Sequence, residues 1–158
     1  MGKKAPMWAP SKKELEKILE VDNVHELFLV GQVCIERMLE KILEKKFNIP
    51  IEALDDPMIM WTQKYLILEK SGLLKGNVKK NVRLINSIRN RYAHRLKPDE
   101  KAIGNNIREL EYLGVSHTNP TTKFEKYRIC VISTFTALEK KSTLYYETRE
   151  MRILWRYG

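Results

Sequence analysis

Arg89 and His94, with Asn90 and Tyr92 between them, are the residues of this chain whose types and spacing suit chemistry. Histidine titrates near neutral pH, so it can remove a proton from a ribose 2′-hydroxyl or donate one to a leaving oxygen. Arginine can bind a phosphate and stabilise the charge that grows on it. Together these side chains suit the cleavage of an RNA phosphodiester by a route that needs no metal ion.

The separation of Arg89 and His94 by five positions constrains how the two side chains can act together. On an ideal helix, at about 100° per residue, they point about 140° apart. For both to reach one substrate, the helix must end near His94 or a second copy of the chain must contribute. Leu96-Lys97-Pro98 favours an end just after His94, because the residue before a proline disfavours helical backbone. In isolation, an arginine and a histidine near a helix end are more often structural than catalytic.

A basic segment surrounds this pair. From Lys75 to Lys97 the sequence has eight lysines and arginines and no aspartate or glutamate, and this segment holds nearly the whole excess behind the net charge of +9. Such a concentration of positive charge attracts polyanions, although a solvated basic face is the alternative interpretation. We select the following residues as candidates for binding the RNA backbone: Lys79, Lys80, Arg83, Arg91, Arg95 and Lys97.

Other kinds of site are missing from the sequence. It has no Gly-rich phosphate loop, no paired-cysteine motif, no His-x-x-x-His pair and no nucleophile elbow, and its three histidines are scattered. We therefore predict no metal and no cofactor. Cys34 and Cys130 lie in apolar runs, which is typical of buried cysteines that act as small hydrophobic residues rather than of a disulfide or a reactive thiol.

The residues that position this motif are expected to be helical. Seven glycines and six prolines among 158 residues provide few turns, which favours a small number of long helices. Hydrophobic residues recur at three- and four-residue steps, and capping residues mark the helix ends. After a flexible basic leader (residues 1–10), we predict one all-α domain (residues 11–158) of about five to six helices. The expected helices cover roughly residues 11–20, 23–47, 58–70, 77–94 and 98–114, with a final helix from residue 122.

Local signals support these boundaries. Ser11 with Glu14, and Thr122 with Glu125, have the form of capping boxes that begin helices, and Gly72 is a natural helix end. The second helix is apolar nearly all round over residues 27–35, which predicts that it is the central buried helix.

Arg89 occupies a place in a stripe that is otherwise apolar. A guanidinium is costly to bury there, and it usually needs a partner or a functional cleft. The stripe follows steps of three and four residues through Val78, Val82, Ile85, Arg89, Tyr92 and Leu96.

The chain shows no membrane signal. The longest stretch without a charge, from Ile129 to Leu138, has ten residues, whereas a membrane-spanning helix needs about 20. The basic N-terminus leads into no apolar signal core. These features predict a cytoplasmic protein with no membrane partner.

The segment Arg89-Asn90-Arg91-Tyr92-Ala93-His94 resembles the signature of the HEPN superfamily. That signature is an arginine, usually followed by a polar residue such as asparagine, with a histidine four to six residues after the arginine. The similarity extends to the branch of the superfamily that contains the mannitol-operon repressor. Residues 26–47 resemble its long apolar second helix, residues 63–74 its helix that ends in a Gly-Leu turn, and residues 124–141 its final helix.

The resemblance implies an up-and-down helical bundle of HEPN type that forms a homodimer, in which the arginine and histidine of both protomers line a basic cleft that cuts RNA. On this chain, Arg89 would bind and stabilise the phosphate, His94 would serve in acid–base chemistry, and Asn90 would position them. Tyr92 would support the motif. Glu36, which follows the buried half of the central helix, is our inferred partner for Arg89.

The leading hypothesis is a metal-independent endoribonuclease, a toxin or antiviral effector, with a protein antitoxin or regulatory partner left open. HEPN toxins that are paired with nucleotidyltransferase antitoxins have a tyrosine two residues after the histidine, and Leu96 at that position argues against that route of silencing. The alternatives are a non-catalytic regulatory or interaction module similar to the mannitol-operon repressor, and a DNA-binding repressor, for which no helix-turn-helix stands out.

Overall fold

The computed structural model of the protein describes residues 12–94, 96–111, 113 and 122–157. All regular secondary structure in these residues is helical, which confirms the all-α class. The helices are α1 (Lys12–Glu20), α2 (Val24–Phe47), α3 (Ile51–Leu54), α4 (Trp61–Lys70), α5 (Gly76–Ala93), α6 (Glu100–Arg108) and α7 (Lys123–Tyr157).

The six helices expected from the sequence are all present, and α3 is an additional helix of one turn. α4 begins at Trp61 rather than at residue 58, because a turn at Asp56 intervenes. The Asp56 carboxylate accepts a hydrogen bond from the Met58 N–H at 2.8 Å, and the Asp56 carbonyl accepts one from the Ile59 N–H at 2.9 Å. The expected extension of α6 to Gly114 is wrong, because the helix ends at Arg108 and the side chain of Asn81 bonds both the N–H and the carbonyl of Glu111 outside the helix. The leader (residues 1–10), Ser11 and Gly114 itself lie outside the described residues.

Side-chain and glycine caps end or begin the helices where the local sequence predicts. The Asn23 side chain accepts a hydrogen bond from the Glu26 N–H at 2.8 Å and begins α2. The Thr122 hydroxyl accepts one from the Glu125 N–H at 3.2 Å and begins α7, as predicted. Gly72, with a φ of +76°, follows α4 in the left-handed conformation that a glycine cap requires.

α2 is the central helix, as predicted. It packs against α1, α3, α4, α5 and α7, and its buried residues include Leu27, Phe28 and Leu39. At Gly31, α2 and α7 approach so closely that an added Cβ would lie 2.6 Å from Val131 Cγ1. Cys34 and Cys130 are both buried and free, which agrees with their expected role as small hydrophobic residues.

No helix in the described part of the chain is both long enough and apolar enough to cross a bilayer.

Candidate functional site

The Arg-His motif lies at the C-terminal end of α5. The helix ends at Ala93, and the N–H of His94 donates to the Asn90 carbonyl at 3.1 Å. The predicted end of the helix near His94 is therefore confirmed. The predicted continuation of the apolar stripe to Leu96 is wrong, because the helix has already ended and Leu96 is fully exposed. His94 is exposed as well and is open to a substrate.

Arg89 is half-buried and has no acidic partner among the described residues. Its Nη1 donates to the side-chain oxygen of Asn90 at 3.0 Å, so the structure brings these two predicted residues together. Its Nε is buried without a hydrogen-bond acceptor in the described residues, and the same holds for Nε of Arg91. Burying a guanidinium without an acceptor is unfavourable, so both groups are suited to receive an anion.

The inferred pairing of Glu36 with Arg89 is wrong. The Glu36 carboxylate instead accepts hydrogen bonds from Lys64 Nζ at 2.9 Å and from Gln32 Nε2 at 3.3 Å. The reason is the register of α2 against α5, which run antiparallel. The His25 ring packs at a tilt against Tyr92 and Gln32 bonds Asn86, so Arg89 lies opposite the turn of α2 between His25 and Gln32. Glu36 is about 10 Å farther along the helix axis.

Tyr92 supports the motif by packing. Its ring is half-buried and lies 4.7 Å from the ring of His25, centroid to centroid. Burial raises the pKa of the Tyr92 hydroxyl, and the neighbouring Glu100 and Tyr127 raise it further. This contact holds the end of α5 on α2 and thereby places His94 at the surface.

The basic segment has no acid in its sequence, but acids reach it from other helices. Lys79 Nζ lies 3.5 Å from a Glu69 carboxylate oxygen, and Lys80 Nζ lies 3.2 Å from one of Glu111. These partly exposed pairs are weak, yet they offset part of the positive charge at Lys79 and Lys80. Among the other candidates for RNA-backbone binding, Arg83 and Lys97 are exposed without an ion pair to a described residue, Arg91 is half-buried, and Arg95 lies outside the described residues.

Lys64 forms a buried cluster with two carboxylates on the other half of α2. Its Nζ lies 2.6 Å from Glu40 Oε1 and 2.9 Å from Glu36 Oε1. Burial alone would lower the pKa of Lys64, but the hydrogen bonds and charges of Glu40 and Glu36 outweigh that effect and raise it. Within the described residues, no three histidine, cysteine or acidic side chains are grouped in a way that could hold a metal ion.

A second group of cations was missed by the sequence reasoning. A cavity of about 530 Å³ lies between α6 and α7, and four basic side chains line it. Each helix contributes two of them at a spacing that places both on one face, seven residues apart on α6 and three apart on α7. That spacing was the available signal, but the two pairs lie 15 residues apart in the sequence, and only the packing of α6 near α7 brings them together. The residues are Lys101, Arg108, Lys123 and Lys126.

No protein-family model, no curated protein and no solved structure matches this chain. The resemblance to HEPN proteins therefore depends on the residues of the motif and on the helical pattern around it.

Proposed function

We propose that the protein is a metal-independent endoribonuclease of HEPN type that works as a cytoplasmic homodimer, in the role of a toxin or antiviral effector. The observation that supports this proposal best is the half-buried Arg89 guanidinium, which has no carboxylate partner among the described residues and lies on the same helix end as the exposed His94. An arginine that only stabilised the fold would be expected to bond an acid.

The proposed reaction uses the RNA itself as nucleophile. His94 removes the proton of a ribose 2′-hydroxyl, whose oxygen attacks the adjacent phosphorus while the bond to the 5′-oxygen of the next nucleotide breaks. That oxygen then takes up a proton, and the products are a 2′,3′-cyclic phosphate and a 5′-hydroxyl. Arg89 stabilises the charge on the non-bridging oxygens, and Asn90 orients Arg89 through the hydrogen bond between their side chains.

The homodimer is proposed from the resemblance to HEPN proteins, and the geometry of one protomer supports it. Arg89 lies on the inner side of α5, whereas His94 is exposed at its end, about 140° away on an ideal helix. A second copy would supply another histidine to the same phosphate, so that one imidazole acts as base and the other as acid. Arg83 and Lys97 are the exposed cations that would bind flanking phosphates.

The test is RNA cleavage by the purified protein in EDTA, compared with His94→Ala and Arg89→Ala. We expect each substitution to lower the cleavage rate by about 100-fold or more, the magnitude typical for loss of an acid–base group or a charge-stabilising group. Because His94 is exposed, its removal should change the free energy of unfolding by less than about 0.5 kcal/mol. Lys70→Ala, an exposed cation on α4, is the control that should cleave like the parent.

Products with 2′,3′-cyclic phosphate ends from the parent alone would support the mechanism. An inert parent on several structured and single-stranded RNAs, or full activity of both variants, would overturn it.

A second candidate is the non-catalytic interaction module. Met58 and Met60 in the connection before α4 are 84% and 65% exposed, and exposed large apolar side chains are typical of surfaces that bind a partner. If this candidate is right, RNA stays intact and Met58→Ser with Met60→Ser weakens partner binding in a co-purification, while His94→Ala does not.

A further inference from the structure

The cavity between α6 and α7 has the size and lining of a ligand site. Its volume of about 530 Å³ lies within the range of roughly 300–1,000 Å³ that is usual for small-molecule sites. Three buried apolar residues, Ile107, Leu110 and Cys130, form one part of the lining, and the half-buried ring of Tyr127 adjoins them. The four basic side chains Lys101, Arg108, Lys123 and Lys126 are exposed. The cavity is therefore apolar at its base and cationic at its rim.

Within the described residues, few acids balance the charge at this rim. Glu100 is the one acidic residue in the lining, against four cations. Lys101, Lys123 and Lys126 form no ion pair with a described residue, and Arg108 donates to the neutral side chain of Asn105. Elsewhere Lys64, Lys79 and Lys80 all have carboxylate partners. The uncompensated charge around the cavity favours an anionic ligand.

Gly104 gives an independent indication that this space is kept open. It lies inside α6 and lines the cavity, although a glycine within a helix costs about 1 kcal/mol relative to alanine. No heavy atom lies within 4 Å of the position that its Cβ would occupy. Close packing requires glycine at Gly31, but it does not require glycine at position 104. The effect of Gly104 is to leave that wall of the cavity without a side chain.

A nucleotide is the ligand class that uses all of these features. Its base can lie against Tyr127 and the apolar base of the cavity, and its phosphate can bind the lysines at the rim. Inorganic phosphate alone would leave the apolar lining unused. We propose that this cavity binds a nucleotide and, resting on the proposed ribonuclease function, that it holds one nucleotide of the RNA substrate beside the cleaved bond.

The position of the cavity fits that role. α6 begins at Glu100, six residues after His94, and six residues of chain span at most about 20 Å. Asn106 on α6 donates a hydrogen bond to the Ser87 hydroxyl on α5 at 3.2 Å, which holds α6 beside the helix that carries the motif. RNA bound at the end of α5 can therefore reach the cavity within a few nucleotides.

Equilibrium binding separates this inference from the cleavage reaction. The four ribonucleoside 5′-monophosphates and inorganic phosphate are titrated by calorimetry into the full chain carrying His94→Ala, which cannot use His94 for catalysis. We expect at least one nucleotide to bind about tenfold more tightly than inorganic phosphate, because only the nucleotide has a base to bury.

Two pairs of variants test whether binding takes place in the cavity. Gly104→Trp fills the space and should weaken nucleotide binding by about tenfold or more, whereas Thr62→Trp, at an exposed position of α4 outside the cavity, should retain the parent affinity. Lys123→Ala with Lys126→Ala should weaken binding about tenfold. Lys70→Ala with Lys140→Ala, which removes the same charge at exposed positions outside the cavity, should not.

Equal affinity for phosphate and nucleotides, or equal losses in the two lysine pairs, would overturn the nucleotide site. RNA cleavage by the parent with an unchanged KM in Lys123→Ala with Lys126→Ala would overturn its role in substrate binding while leaving the ribonuclease intact. Nucleotide binding with the expected variant pattern, in a protein that cleaves no RNA, would support the cavity and reject the ribonuclease.

Discussion

Two cations that lie against different turns of α2, the buried Lys64 and the half-buried Arg89, are treated differently by the fold. Lys64, on α4, lies within 2.9 Å of carboxylate oxygens of both Glu36 and Glu40. Arg89, on α5, bonds only the neutral side chain of Asn90, and its Nε is buried without an acceptor in the described part of the chain. Both side chains carry a positive charge into the bundle, but among the described residues only Lys64 meets negative charge there.

This difference separates a stabilising cation from one that is available for a ligand. Removing a partner from a buried ion pair is strongly destabilising, because the remaining charge is left uncompensated. A guanidinium that never had an acidic partner leaves no such charge behind when it is removed. Substitution at the two sites should therefore affect stability at Lys64 and function at Arg89.

Lys64→Ala should produce the largest loss of stability. It leaves Glu36 and Glu40 beside each other without their shared cation, and Glu40 is buried. We expect the free energy of unfolding, measured by urea denaturation, to fall by about 3–5 kcal/mol. Lys70→Ala on the exposed side of α4 should change it by less than about 0.5 kcal/mol. A loss below about 1 kcal/mol for Lys64→Ala would remove the contrast between the two cations.

Gly31→Ala should lower the free energy of unfolding by a smaller amount, about 1–3 kcal/mol, because it disturbs the packing of α2 against α7. The new Cβ would lie 2.6 Å from Val131 Cγ1, so α2 and α7 must separate or Val131 must move. The measurement is a double-mutant cycle of Gly31→Ala with Val131→Ala in thermal or urea denaturation. If the two losses simply add, the close approach of the helices is not what requires glycine.

Cys130, at the base of the cavity, should make stability depend on pH. Burial raises the pKa of its thiol from 9.0 to about 11, and Glu111 adds to the effect. The folded state holds this proton more tightly, so the stabilisation is complete below pH 9 and is lost as the pH rises towards 11. When the pH is raised from 8 to 10, the free energy of unfolding of the parent should fall by about 1 kcal/mol more than that of Cys130→Ala. Parallel pH profiles of the two proteins would contradict this expectation.

Arg89→Met should have the smallest effect on stability, below about 1 kcal/mol in the same urea assay. Methionine retains the apolar stem, and the substitution removes one hydrogen bond to Asn90 without stranding a carboxylate. A loss of 3 kcal/mol or more, comparable to that of Lys64→Ala, would mean that Arg89 holds the bundle together. That result would favour the non-catalytic interaction module over the ribonuclease.

The sequence by itself determined the motif, six of the helices and several of their ends. Gly72 ends α4, Thr122 begins α7, and the chain leaves the helix at His94, because each of these features depends on neighbours within a few residues. The apolar run of α2 likewise identified the central helix, since a helix that is apolar nearly all round must be covered on all sides.

Only the tertiary structure decided which charges meet. Glu36 bonds Lys64 rather than Arg89, and Glu69 and Glu111 reach Lys79 and Lys80. Basic residues of α6 and α7 line one open cavity. These outcomes depend on the register and facing of packed helices. A slip of one turn moves a side chain by about 5 Å, which is more than the length of an ion pair, and no local pattern specifies it.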